Sequence, residues 1–305
     1  MLAYRAYIRN ASSPDAQITM EDRMRIGAKL PNSGPESLEQ GVPEMARALE
    51  AAGYDSLWVS DHVVMPREIR SHYPFAADGR ATWPTAMPWY DAVVLLATAA
   101  AVTTGLRLGV AVLVGPLRHP VVFAKQVASL TALAGERFTL GVGAGWLAEE
   151  YAALGVPFAD RGRRLDEWLA VVRDCWTGEP AARQGRFYDL PADVLCLPAP
   201  TAPPPVLVGG VSDAALRRAA RQDGWVAHED LRTLDVDGVA AGAARVRALA
   251  TDPPRVVLRL VGSAGRADEV AWRLPALAAA GVDEVVVDVA AGQARAAFEL
   301  LKGAR

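Results

Sequence analysis

Three short segments carry side chains suited to chemistry. Ser60-Asp61-His62 sets a carboxylate beside an imidazole. A histidine can give or take a proton near neutral pH, and the neighbouring aspartate can fix its tautomer or accept a hydrogen bond from a cofactor. Gly141-Val142-Gly143-Ala144-Gly145-Trp146 alternates glycines, which let a backbone approach a flat or phosphorylated ligand. Val208-Gly209-Gly210-Val211-Ser212-Asp213 reads as a strand end opening a helix, where free N–H groups and the helix dipole favour phosphate. Each segment also has a plainer reading: a loop-capping aspartate with a backbone-bonded histidine, a tight turn, and an ordinary N-cap at Ser212.

Other side chains are weaker candidates. Trp83, Trp89 and Trp146 can wall an apolar pocket, and His228 ends a strand and can face the same space. His72 and His119 read as structural or solvent-facing. No His, Cys, Asp or Glu spacing supports a metal site. Cys175 and Cys196 form no CxxC pattern and read as two reduced thiols.

These residues need a scaffold. From Met24 onward, short apolar runs alternate with amphipathic ones. Strands are expected at 25–30, 54–59, 106–114, 137–142, 205–208, 224–228, 255–261 and 284–289. Helices are expected at 37–52, 90–103, 120–134, 163–176, 213–221, 236–249, 268–279 and 293–302. An insertion lies between strands four and five. Runs such as VVLRLV and EVVVDVA are largely apolar on both faces, as in parallel sheets covered on both sides. Eight strand–helix units in order predict an α/β fold, a TIM (β/α)8 barrel, over residues 23–305. A GxGxG in the fourth unit is then a weak argument for a dinucleotide-binding sheet. Residues 1–22 are polar after Ile8 and are expected to form a disordered extension. In a barrel the active site lies where strands end, which is where the Asp-His pair and both glycine segments fall.

Composition narrows the function classes. Of 305 residues, 51% are hydrophobic and 22% charged, with a net charge of −3. This excludes wholesale disorder, and there is no basic excess to hold a nucleic acid. The longest helix-compatible apolar run, 92–106, is too short to span a membrane, and no secretory signal is visible, so a cytoplasmic protein is expected. Arginine outnumbers lysine 29 to 3, which is the mark of a GC-rich bacterial genome rather than of a function.

Three segments go further: ARALEAAGYDSLWVSDHVVMP, then LRLGVAVLVGPLRHPVVFAKQVASLTALAGERFTLGVGAGWLAEEYAALGVPFADRGRRLDEWL, then PPPVLVGGVSDAALRRAARQDGW. Together they resemble the luciferase-like monooxygenase superfamily, and most closely its branch that uses the deazaflavin coenzyme F420. The resemblance implies a redox ring lying across the strand ends. It places a cofactor contact on Asp61 and the catalytic proton donor or acceptor on His62. It puts a non-prolyl cis peptide on Ala111–Val112, forming a bulge behind the ring, and cofactor contacts on Gly143, Ala144, Gly145, Gly209 and Gly210. Trp89, Trp146 and His228 then fall in the substrate pocket. Two departures matter. Pro66 and Trp146 stand where the family's sugar-phosphate dehydrogenases carry a tryptophan and a glutamate acid, which favours a more apolar substrate. The expected activity is hydride transfer between F420 and a small organic substrate. The alternatives are an FMN-dependent monooxygenase and a barrel that binds a flavin-type ligand without turnover. The expected partners are a small-molecule substrate, a flavin or F420 reductase and a second copy of the chain in a homodimer, with no nucleic acid or membrane.

Overall fold

The computed structural model describes residues 23–34, 39–76, 78–81, 83–290 and 292–305, so the expected extension over 1–22 lies outside the described residues. Eight strands close a parallel barrel in chain order, and the last pairs with the first through Arg25↔Glu284 to Lys29↔Asp288. They are β1 (Arg25–Lys29), β2 (Ser56–Val59), β3 (Arg107–Val114), β4 (Phe138–Gly143), β5 (Val206–Gly209), β6 (Gly224–Asp230), β7 (Arg255–Val261) and β8 (Glu284–Asp288). The helices are α1 (Val42–Ala52), α2 (Ala92–Ala100), α3 (Pro120–Ala134), α4 (Ala148–Ala153), α5 (Arg161–Cys175), α6 (Asp213–Ala219), α7 (Val236–Leu249), α8 (Ala267–Ala279) and α9 (Ala294–Ala304). No described helix is long and apolar enough to cross a membrane.

The period of two along each strand splits the core. Leu57, Leu108, Leu140, Val206, Leu258 and Val285 join the outer cluster under the helices. Trp58, Leu207, Val257 and Val286 turn inward and fill the barrel with Val226, Ala111 and Val112. Gly109 makes room for the largest of these, because a Cβ there would meet the Trp58 ring at 2.4 Å. Below Trp58 the barrel is closed by a polar plug. Fully buried Glu284 accepts from Trp58 Nε1 at 2.7 Å, from Ser56 Oγ and from Arg255.

Some boundaries move for identifiable reasons. The helix expected from Tyr90 begins at Ala92, because Asp91 caps it by accepting from Val93 and Val94 N–H at 2.9 and 3.1 Å. Of the helix expected over 37–52, residues 37 and 38 lie outside the described residues, and α1 covers Val42–Ala52, behind Gly41 at φ 74° and with a proline in its first turn. β6 runs two residues beyond His228, because its pairing with β7 continues to Asp230↔Val261. After α5 the chain crosses to β5 without helix or strand, apart from an antiparallel bridge between Arg183 and Leu190.

Candidate active site

The mouth of the barrel is assembled by side chains that tie one strand end to the next. Buried Asn32, just past β1, donates to Ser60 O at 2.8 Å and accepts from Ser60 N at 3.2 Å. This reciprocal pair extends β2 and presents Asp61 and His62. Asp61 then turns toward β3. Its carboxylate takes a bidentate pair of bonds from Arg118, both 2.7 Å, and a third from Val114 N at 2.9 Å. The Asp61 side chain is 0% exposed. Both oxygens of this carboxylate, which borders the cavity described below, thus also tie the β2 and β3 ends together.

His62 has a different neighbour. Its Nδ1 lies 3.2 Å from Oε2 of Glu150 on α4. Glu150 is buried, and its other oxygen accepts from Val63 N at 2.5 Å and Val64 N at 3.2 Å. A carboxylate only accepts, so Nδ1 carries the proton and Nε2 remains as the ring nitrogen available to a ligand. The adjacent Glu149 holds the same long loop a few residues on, through Arg70 N, Ser71 N and Ser71 Oγ at 2.7, 3.0 and 2.5 Å. Two consecutive acidic residues thus pin the first part of the 60–89 loop to α4.

An arc of rings continues from His62. Trp89 lies 4.8 Å from it edge-on and Trp146 6.1 Å. Tyr73 packs 5.0 Å from Trp146 and 4.9 Å from Trp83, and Phe75 stands 4.2 Å from His228 at the far end. Burial, with Arg259 beside it, pushes the His228 pKa down to about 4, so the ring is neutral at pH 7. Arg259 is fastened by Asp288 and by the carbonyls of Leu260 and Val286. These residues border a cavity of about 330 Å³, within the range of small-molecule sites.

The floor of this cavity is the end of β3. The Ala111–Val112 peptide is cis, and the β3–β4 register shifts between Val110 and Leu113. Val112 rises between two glycines. A Cβ on Gly143 would meet its Cγ2 at 2.9 Å, and one on Gly209 its Cγ1 at 2.7 Å. Space for Val112 is thus what these glycines provide. Gly145 has φ 71° and Gly210 φ 113°, conformations that favour glycine.

A second compartment of about 530 Å³ shares Val112, Gly145, Trp146, Gly209 and Gly210 with the first, and adds Gly143, Ala144, Arg161, Arg163 and Arg218. Arg218 is committed to Asp166 at 2.6 and 2.8 Å. Arg161 is held by the carbonyls of Gly145 and Phe158 and by the Phe158 ring, 3.9 Å below its guanidinium carbon. Ser212 caps α6 by accepting from Ala215 N at 3.2 Å. A flat ring seated on Val112, with an anionic tail reaching Arg161 and Arg163, matches this shape and charge.

Of the twelve residues that the resemblance places at the cofactor or in the substrate pocket, all but Gly143 and Ala144 border the first cavity, as does Trp83. His72 and His119 are exposed. Sequence reasoning missed Asn32, Tyr73, Phe75, Arg118, Glu150 and Arg259. Only Arg259 left a signal, as an isolated charge inside the apolar run VVLRLV. Glu150 lies 88 positions from His62 and no spacing rule links them. Among the described residues, no group of three or more His, Cys, Asp or Glu could hold a metal ion.

A sequence model of luciferase-like monooxygenases matches residues 24–300. An uncharacterized protein of Mycobacterium tuberculosis is 48% identical over 182 residues, which cover 60% of this chain and 63% of that protein. An F420-dependent glucose-6-phosphate dehydrogenase of Beutenbergia cavernae is 37% identical over 212 residues, covering 67% of this chain and 56% of that protein. The matched stretch thus spans less than two thirds of the length of these relatives. In fold, the chain is similar to the monooxygenase RslO1 from Streptomyces bottropensis, with a TM-score of 0.70 at 18% identity over 92% of this chain and 98% of that one.

Proposed function

The chain belongs to the luciferase-like monooxygenase family, and from that premise we propose that it is an F420-dependent oxidoreductase acting on a small aromatic or otherwise apolar substrate. The observation that carries this reading is the first cavity: Val112 seated between Gly143 and Gly209, an arc of rings around it, and His62 held at its edge by Glu150. The 37% identity to an F420-dependent enzyme supports the choice of cofactor.

A bound deazaflavin supplies two-electron hydride chemistry at carbon. The chain's own residues do the rest. Val112 would support the ring, and Gly209, Gly210 and Arg161 would hold the phosphate-bearing side. Asp61, fixed by Arg118, keeps the ends of β2 and β3 in register at the edge of the cavity. His62 gives or takes a proton at a substrate oxygen through Nε2, while Glu150 keeps the proton on Nδ1. The arc of rings excludes water from the reacting groups. Trp146 has no acid to transfer a proton and its neighbours are rings, so a sugar phosphate is a poor match.

Mixing the purified chain with each cofactor tests this reading. Quenched deazaflavin fluorescence without retention of FMN is the expected result. Retention of FMN alone overturns the F420 assignment in favour of a monooxygenase. Tight F420 binding without turnover across a panel of ketones, alcohols and arenes reduces the chain to a carrier.

A further inference from the structure

Eight buried side-chain nitrogen or oxygen atoms among the described residues lack a hydrogen-bond partner. Three of them, Trp83 Nε1, Trp89 Nε1 and His228 Nε2, belong to residues lining the first cavity. Four others are arginine Nε atoms, on a group that has further nitrogens to bond, and the last is Tyr54 Oη, whose ring packs on Phe298. Unpaired buried donors are costly, and a cluster of them calls for an explanation. Here their polarity is informative. An indole N–H donates and never accepts. The carboxylates around the cavity are all committed: Asp61 to Arg118, Glu150 to His62, Asp288 to Arg259. Beside the His62 ring the cavity therefore offers two indole donors and no uncommitted carboxylate, next to Trp83, Tyr73 and Trp146 rings packed edge-on with centroids 4.9 to 6.1 Å apart.

We infer that this cavity takes a flat conjugated molecule bearing carbonyl-type oxygens, such as an aryl ketone or enone, whose oxygens accept from Trp83 and Trp89 while its hydrocarbon lies among Tyr73, Phe75 and Trp146. This names a substrate class for the proposed oxidoreductase and rests on that reading for turnover, though not for binding. In the structure the three nitrogens are buried, so the ligand must displace what covers them. A change in tryptophan fluorescence accompanies its binding.

The test is calorimetric titration of the cofactor-free chain with 1-tetralone and with tetralin, the same skeleton without the oxygen. The ketone is expected to bind at least about tenfold more tightly, the equivalent of one or two added hydrogen bonds. Trp83→Phe and Trp89→Phe each keep a ring and delete the N–H. They are expected to pull ketone affinity toward that of tetralin and leave tetralin unchanged. Equal affinities in the parent chain, no binding of either compound, or a ketone preference untouched in both variants overturns the inference. F420 binding is followed separately by deazaflavin fluorescence. Ketone selectivity without F420 binding leaves this inference standing and removes the cofactor reading. F420 binding without ketone selectivity does the opposite.

Discussion

His62 and His228 border one cavity and are built in opposite ways. His62 has the Glu150 carboxylate 3.2 Å from Nδ1, and that carboxylate is itself saturated by two backbone N–H groups. His228 has Arg259 for a neighbour, a Phe75 ring across its face and no partner for Nε2. The first ring has a defined tautomer and a defined orientation. The second is kept neutral by burial and by a nearby cation. One cavity therefore holds a histidine equipped to pass a proton and another equipped only to hydrogen-bond. The difference lies in the partner that tertiary structure brings to each.

The sharpest way to break this contrast is to remove the equipped ring. His62→Ala is expected to lower turnover by about 10²–10⁴-fold, the usual scale of general acid–base catalysis, while deazaflavin binding stays within a few-fold. Steady-state rates and fluorescence titration on the same preparation check it, and unchanged turnover removes His62 from the chemistry. Glu150→Gln is a finer probe. The amide oxygen can still accept from Val63 and Val64, but its NH₂ then faces Nδ1 and drives the ring proton to Nε2. The expected result is a fall in kcat of roughly 10–10³-fold with little change in KM and an altered pH–rate profile. A role confined to folding would lower the melting temperature and leave that profile alone.

How far such features could be read in the sequence depended on the range of the interaction. The eight strand–helix units were legible because period-two and period-3.6 patterns are local, and the strand ends carrying Asp61-His62, Gly143 and Gly209 followed from them. The Glu150–His62 pair was not legible, because nothing local to a Glu149-Glu150 doublet says which side chain will meet a loop 88 residues earlier. Asp61 was visible as a residue, but its tie to Arg118, 57 positions on, was not. Gly143 and Gly209 read as openings toward a ligand. On the side where a Cβ would project they also make room for Val112, a neighbour known only once β3, β4 and β5 are paired.

That packing gives a third probe, aimed at the floor both histidines share. Gly209 has an ordinary backbone conformation, so an alanine there is resisted by Val112 alone, 2.7 Å from the added Cβ. Gly209→Ala is expected to cost about 1–3 kcal/mol of stability, the usual range for overpacking, and to weaken F420 binding by displacing Val112. Combining it with Val112→Ala should restore part of the stability and none of the affinity. Denaturant unfolding and fluorescence titration separate the two, and strictly additive losses would show that the residues do not interact.

The smallest effect concerns His228 and appears only in acid. Burial and then Arg259 bring its pKa from the ordinary 6.5 to about 4 in the folded chain. Between these values the unfolded chain binds a proton that the folded chain refuses. Stability is therefore complete above about pH 6.5 and is lost progressively as the pH falls toward 4. The loss from this one ring reaches at most about 3 kcal/mol, or several degrees in melting temperature. His228→Phe removes the titration and keeps an aromatic ring against Phe75. Its unfolding free energy, measured against the parent at about pH 7.5 and pH 4.5, should fall less on acidification. Parallel curves for the two proteins would mean that His228 titrates normally, and the contrast with His62 would then have to rest on orientation alone.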